Sequence, residues 1–139
     1  MPRFHERVHG VYFDDLDAYR ILHNARYLLL FERTLGSFWE ELGAGEFGDP
    51  THADHWHLVR ANTVDYLRPV RGTGSVRVRV WVEALGRTSL TFGFRLMPLD
   101  EDVDCARGTR TVVHVDSHTQ RPVPWSDAFR GQLAHWGAS

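Results

Sequence analysis

The chain changes its hydrophobic period twice. From Phe4 to Phe13, the residues Phe4, Val8, Val11 and Phe13 stand among polar neighbours in a partly alternating pattern, which predicts a strand. An acidic stretch, Asp14-Asp15-Leu16-Asp17, follows and reads as a loop. From Asn24 the spacing becomes three and four, with Tyr27, Leu28, Phe31, Leu35, Phe38, Trp39 and Leu42 on one helical face. Asn24 is placed to cap this helix and Gly43 to end it. At ~1.5 Å per residue it would be roughly 27 Å long. Leu29 and Leu30 widen its apolar face beyond the needs of a surface helix, which predicts that other elements wrap it.

Beyond a Gly- and Pro-bearing loop at 44–54 the period becomes two. Leu58 to Val70 is a predicted strand ending at Pro69. Ser75 to Leu85 alternates Val76, Val78, Val80 and Val82 against Arg77, Arg79, Trp81 and Glu83. Gly86-Arg87 reads as a two-residue hairpin leading into a strand from Thr88 to Leu96. The acidic turn Asp100-Glu101-Asp102 precedes a last strand, Asp104 to Asp116, and prolines 122 and 124 introduce a short helix near Ser126 to Ala134. One strand, one long apolar helix and four antiparallel strands make an α+β layer arrangement. A sheet curled round one helix leaves a face and an edge uncovered, which predicts a dimer or higher oligomer.

Composition narrows the chemistry. A length of 139 residues with 42% hydrophobic content suits one domain, residues 1–139, with a core that needs neither disulfides nor a structural metal. All 16 basic side chains are arginine, so Schiff-base and P-loop lysine chemistries are excluded. A net charge of −2 with scattered arginines argues against nucleic acid as a partner. The lone Cys105 excludes an internal disulfide and fits the reducing cytoplasm. Residues 1–10 hold no signal-peptide core and the apolar runs are too short for a membrane span, so a soluble cytoplasmic protein is expected.

Candidate chemistry gathers between Val11 and Leu28. A carboxylate cluster there feeds a helix N-terminus, whose unpaired amides can polarise a carbonyl oxygen or hold an anion. A carboxylate a few residues upstream could serve as base or nucleophile against that carbonyl. Together these suffice to hydrolyse an activated acyl compound without serine, cysteine or metal.

The wording of the region points the same way. Asp17-Ala-x-x-Ile-Leu-His-Asn-Ala-x-Tyr27-Leu-x-x-Phe-Glu32 resembles the signature of hot-dog-fold acyl-CoA thioesterases of the 4-hydroxybenzoyl-CoA thioesterase type. The resemblance runs on through Asn62-Thr-Val-Asp-Tyr66-Leu-Arg-Pro69, Gly86-Arg-Thr-Ser89 and Val115-Asp116-x-x-Thr119-x-Arg121-Pro122. It implies a hot-dog fold, in which an antiparallel sheet of about five strands wraps one long central helix. It also implies hydrolysis of an acyl-CoA, or of an acyl carrier protein thioester, with no cofactor. Asp17 would be base or nucleophile, and the first helix amides, at Asn24 and Ala25, would polarise the carbonyl. His23 joins the catalytic set through the related acyl-carrier-protein branch. Tyr27 and Tyr66 would line the acyl channel, and the sites would lie at the boundary of a homodimer or homotetramer whose sheets join edge to edge.

Departures leave alternatives open. The family often has glycine three residues after the aspartate; here Arg20 stands there, either narrowing the mouth or contacting phosphate. Its presence supports a non-catalytic acyl-thioester or carrier-protein binding module as a second reading. An enoyl-thioester hydratase is a third, although Asp17 and His23 are six apart and the hydratase proline is missing. Arg60, Arg68, Arg71, Arg87 and Arg121 are candidates for coenzyme A phosphates.

Plainer roles compete at other positions. Asp14 and Asp15 read as solvated or turn-forming, Glu32 as a helical carboxylate paired with Arg33 or a neighbour, and Cys105 as a small buried residue. His52, His55 and His57 lie close together but lack a third and fourth ligand of convincing spacing, so no metal is expected.

Overall fold

The three-and-four spacing becomes helix α1, Asn24–Glu41, in the computed structural model, which describes residues 3–42, 54 and 56–136. The strands are β1 (Phe4–Val11), β2 (His57–Tyr66), β3 (Gly74–Leu85), β4 (Ser89–Pro98) and β5 (Ala106–His114), and a second helix, α2, spans Asp127–Ala134. The strands form one sheet in the order β1-β3-β4-β5-β2, every neighbouring pair antiparallel. The α+β arrangement expected from the sequence is therefore present, with α1 on the inner face of the sheet. No helix among the described residues is long and apolar enough to cross a membrane.

Alternation decides the inner face. Val76, Val78, Val80 and Val82 of β3 are buried with Leu90, Phe92, Phe94 and Leu96 of β4. Against them α1 sets Tyr27, Leu30, Phe31, Leu35 and Phe38, with the Phe31 ring stacked on Phe94 at 4.4 Å between centroids. Helix α2 and its approach add Trp125, Phe129 and Leu133 to the same core. Burying one such aromatic side chain stabilises by about 1.5–3 kcal/mol.

Several boundaries differ from the sequence reading, each for a physical reason. The β3–β4 loop is Gly86-Arg87-Thr88, closed by the Gly86 amide on the Ser89 carbonyl at 2.8 Å, rather than a two-residue hairpin. Strand β2 stops at Tyr66 instead of running to Val70. The Leu67 and Arg68 amides both turn to the Cys105 carbonyl, at 2.9 and 3.1 Å, and the chain leaves the sheet before Pro69. The helix cap is His23, not Asn24, because the His23 Nδ1 accepts from the Ala25 amide at 3.1 Å. Gly43, the loop at 44–53 and residues His52 and His55 lie outside the described residues.

Strand β1 is present as expected, and Val11 at its end is buried, but its other apolar residues face outward. Phe4 and Val8 point outward and are 40% and 57% exposed, Phe4 lying under the Arg79 guanidinium. His5 and His9 face α1 instead. The Nε2 of His5 meets Ser37 Oγ at 2.7 Å and its Nδ1 meets Glu41 at 2.5 Å. The Nε2 of His9 meets Thr34 Oγ1, also at 2.7 Å. Polar helix positions thus select polar strand positions.

This seam has a pH signature. Burial, with Arg7 assisting and Glu41 opposing, lowers the His5 pKa below its ordinary 6.5. Burial, then Arg33 and Arg7, lowers that of His9 from the same value. As pH falls through about 6.5 the unfolded chain takes up protons that the folded chain resists, so stability present above that pH is lost below it. The thermal midpoint is expected to drop from about pH 7.5 to about pH 5. His9→Gln should shrink that drop, as read by circular dichroism melts.

Candidate active site

The segment before α1 is a small hairpin. Leu16 and Leu22 face each other as an isolated bridge, and the Asp17 amide donates to the Ile21 carbonyl at 2.9 Å. The Arg20 amide returns to the Asp17 carbonyl at 2.9 Å, and Arg20 itself has φ 61°. That is a tight turn closed by a left-handed residue, a place where glycine has no steric penalty and other residues cost about 1–2 kcal/mol. The preference for glycine at this position therefore follows from the turn, with no need of a close ligand approach. The hairpin is pinned on its far side by Ile21 bridging Arg71, by the Leu22 amide on the Val70 carbonyl (2.8 Å) and by the Gly72 amide on the Arg20 carbonyl (3.0 Å).

This turn aims Asp17. One oxygen, Oδ1, accepts from the Tyr19 amide at 2.8 Å and the Ile21 amide at 3.4 Å. The other, Oδ2, has no protein partner among the described residues. Asp17 lines a cleft of about 580 Å³ together with His23, Asn24, Tyr27, Tyr66, Leu67 and Arg68. The carboxylate is thus half-buried, held to the backbone by one oxygen and open to the cleft's solvent side through the other.

The opposite wall is the start of α1. The Ala25 amide is occupied by His23 Nδ1, so it is not an available donor. The Arg26 amide closes on the His23 carbonyl at 2.9 Å. The Asn24 amide has no protein acceptor among the described residues, and it stands at the positive end of an 18-residue helix. Tyr66 reaches over from the end of β2, its hydroxyl donating to the Asn24 carbonyl at 2.9 Å. Tyr27 meets the Tyr66 ring edge-on at 4.9 Å. Burial above all, then nearby Cys105, Tyr66 and Asp17, pushes the Tyr27 phenol up to about 12, so it remains a neutral wall.

Of the residues singled out in the sequence, Asp17, His23, Asn24, Tyr27 and Tyr66 converge on this cleft. Ala25 is exposed beside it. Arg20 is exposed and does not line the cleft. Arg87 lies in the β3–β4 loop, where its carbonyl accepts from Trp125 and Arg130. Along the 12-residue strand β3 that is roughly 40 Å from the turn-bearing end within one chain. Arg68 lines the cleft while paired with Glu101 at 3.1 Å. Asp15 accepts from the Tyr12 amide at 2.8 Å and lies near Arg26, a turn-forming role as expected. Among the described residues no three His, Cys, Asp or Glu side chains gather as a metal site.

Glu32 is paired neither with Arg33 nor within its helix. It binds Arg110 of β5 at 2.9 Å, and the Arg110 Nε donates to Asn62 of β2 at 2.8 Å. Sequence reading missed this network. The available signal was an arginine at an inward position of β5, between Gly108 and Val112.

The turn makes its own prediction. Arg20→Gly should leave the hairpin intact and raise stability by up to about 1 kcal/mol, the left-handed strain relieved less the entropy of glycine. Chemical denaturation checks this; a loss of stability would mean that the Arg20 side chain holds the loop.

Comparison with known proteins now bears on this geometry. A relative 26% identical over 129 residues, spanning 91% of this chain and 82% of its own, is the uncharacterised protein YsmA of Bacillus subtilis (strain 168). A thioesterase from Thermus thermophilus, solved with coenzyme A and Zn, is 26% identical with a TM-score of 0.80, covering 97% of this chain and 96% of that one. A 1,4-dihydroxy-2-naphthoyl-CoA thioesterase from Synechocystis has a TM-score of 0.85 over 99% of this chain and 100% of its own, and at 10% identity it shares the hot-dog fold alone. Residues 11–133, from the end of β1 to the last turn of α2, match the thioesterase-like superfamily, and the chain belongs to that family.

Proposed function

We propose that this protein is an acyl-CoA thioesterase, hydrolysing a thioester to free acid and coenzyme A. The observation that carries the reading is the pairing of a free Asp17 Oδ2 with the unoccupied Asn24 amide across one cleft. The thioester carbonyl oxygen would accept from the Asn24 amide, where the helix dipole favours developing negative charge. Asp17 acts as base, taking a proton as water oxygen bonds to the carbonyl carbon. The C–S bond then breaks, and the departing thiolate recovers the proton. Direct attack by Asp17 Oδ2 would give the same products through an anhydride. The relative solved with coenzyme A supports that molecule as the carrier. Arg20 at the glycine position had favoured a non-catalytic module, but a residue absorbed by the turn and absent from the cleft wall gives that reading no support.

The working unit we propose is a dimer joined along β2. This edge strand is exposed on both faces along most of its length, its inward-facing Val59 and Tyr66 being 51% exposed each. A long edge with apolar residues on both faces is a pairing surface. Val59→Glu is expected to shift the protein from dimer to monomer in size-exclusion chromatography with light scattering; a monomeric wild type would end this part of the reading.

The catalytic test is direct. Asp17→Asn retains the Oδ1 acceptor for the Tyr19 amide and loses the basic oxygen, so the fold should survive. Thiol release from acyl-CoA is expected to fall by about 10²–10⁴-fold, the usual worth of a positioned base. Turnover equal to wild type would remove Asp17 from the mechanism.

A further inference from the structure

A second cavity, of about 230 Å³, opens farther along the α1–β2 seam, lined chiefly by Glu32, Gly36, Trp39, His57, Val59 and Arg110. Two of its features lack a structural purpose. Arg110 is only 6% exposed, yet its side-chain bonds among the described residues use Nε and Nη1. Nη2 has no protein partner among the described residues, and Arg110 lines the cavity. Gly36 lies in the interior of α1, where glycine costs about 1 kcal/mol relative to alanine. A Cβ there would meet nothing within 4 Å, so no close neighbour demands the glycine.

The cavity lies on the same seam as the proposed oxyanion donor. Helix α1 meets β2 first at Asn24 and Tyr66, then through Arg110 at Glu32 and Asn62, then at Gly36 and Val59, and Glu32 is about 12 Å along the axis from Asn24. A benzoyl ring anchored at Asn24 is too short to reach it. An extended chain of roughly ten bonds of ~1.5 Å, in zigzag, does reach it. At its end are the Glu32 carboxylate, with one oxygen bound to Arg110, and the Arg110 guanidinium, both lining the cavity. The pair is neutral overall, which favours a neutral group that both donates and accepts over a second carboxylate.

We propose that this cavity receives the far end of a medium-length acyl chain carrying a terminal hydroxyl, with Glu32 accepting its proton in a hydrogen bond and Arg110 donating to its oxygen. The proposal rests on the thioesterase reading for the position of the carbonyl. Glu32, Arg110 and Gly36 are then determinants of chain selection, and Gly36 keeps the room open.

Two measurements separate this proposal from the reading beneath it. Thiol release is compared for ω-hydroxydecanoyl-CoA and decanoyl-CoA, and calorimetric binding for the corresponding free acids, which needs no hydrolysis. Two hydrogen bonds of net ~1 kcal/mol each, less ordering, predict about tenfold preference for the hydroxylated chain in both measurements. Glu32→Gln and Gly36→Phe should each bring the ratio towards one, Gly36→Phe by filling the cavity without touching the ion pair. A binding preference without any thiol release removes the hydrolase reading and leaves the chain site standing. Equal handling of the two chains in both measurements overturns the chain site. So does a Gly36→Phe variant that dissociates the dimer while keeping the preference, because the space would then belong to the second copy.

Discussion

The constraint that shapes this molecule is one of width. Five strands spaced at about 4.8 Å make a sheet roughly 20 Å across, and a helix with its side chains covers about 10 Å. Helix α1 therefore cannot shield the whole inner face, wherever it lies. It stacks through Phe31 and Phe38 on the middle strands, where Phe94 and Phe92 meet it. The two margins are left to other means. At the β1 margin histidines bridge to Ser37 and Thr34 hydroxyls on the helix flank. At the β2 margin only scattered contacts cross among the described residues, Tyr66 to Asn24 and Asn62 through Arg110 to Glu32, and the inward Val59 and Tyr66 stay half exposed.

The cleft follows from the same placement. Because α1 begins beside the end of β2, its first amide faces a gap rather than a wall, and Tyr66 can reach the Asn24 carbonyl. The hairpin carrying Asp17 is braced from behind by the backbone of residues 70–72, so the carboxylate is held by main-chain bonds rather than by other side chains. A carboxylate positioned by backbone amides needs no partner residue to orient it. The proposed site therefore draws on one aspartate and one helix end, in a chain that offers no lysine and a single buried cysteine.

Periodic features were legible in the sequence, and features set by contact were not. The valines of β3 declared their face because both faces of that strand are consistently used, buried on one side and solvated on the other. In β1 only Val11 follows the rule, since the rest of its inner face packs on a polar helix flank, and the outward Phe4 is covered by Arg79. The helix start could be placed from Asn24, but the choice of His23 as cap depends on a backbone turn that only the hairpin before it creates. Asp17, His23, Asn24 and Tyr66 could be named because they lie in recognisable wording. Arg110, Asn62 and Glu32 meet across as many as 78 positions and belong to no local pattern. The meaning of position 20 was the subtlest loss: a residue identity was visible, and the backbone angle that explains the family's glycine was not.

The uncovered β2 margin also changes how its polar network should be weighed. Arg110 is buried while the Glu32 side chain it pairs with is 61% exposed, so desolvation falls mainly on the guanidinium and offsets much of the attraction. Met or Leu at position 110 could pack on Phe31, which the guanidinium now overlies at 5.1 Å. A glycine three turns into the helix is a second departure from the most stable choice, and it borders the same space. Two independent departures at one margin, with none needed by the adjoining core, place the margin under a constraint other than folding. The second copy proposed along β2 and the acyl chain proposed within the seam satisfy it together. The first supplies a roof, and the second needs the floor to be polar at one end and open above Gly36.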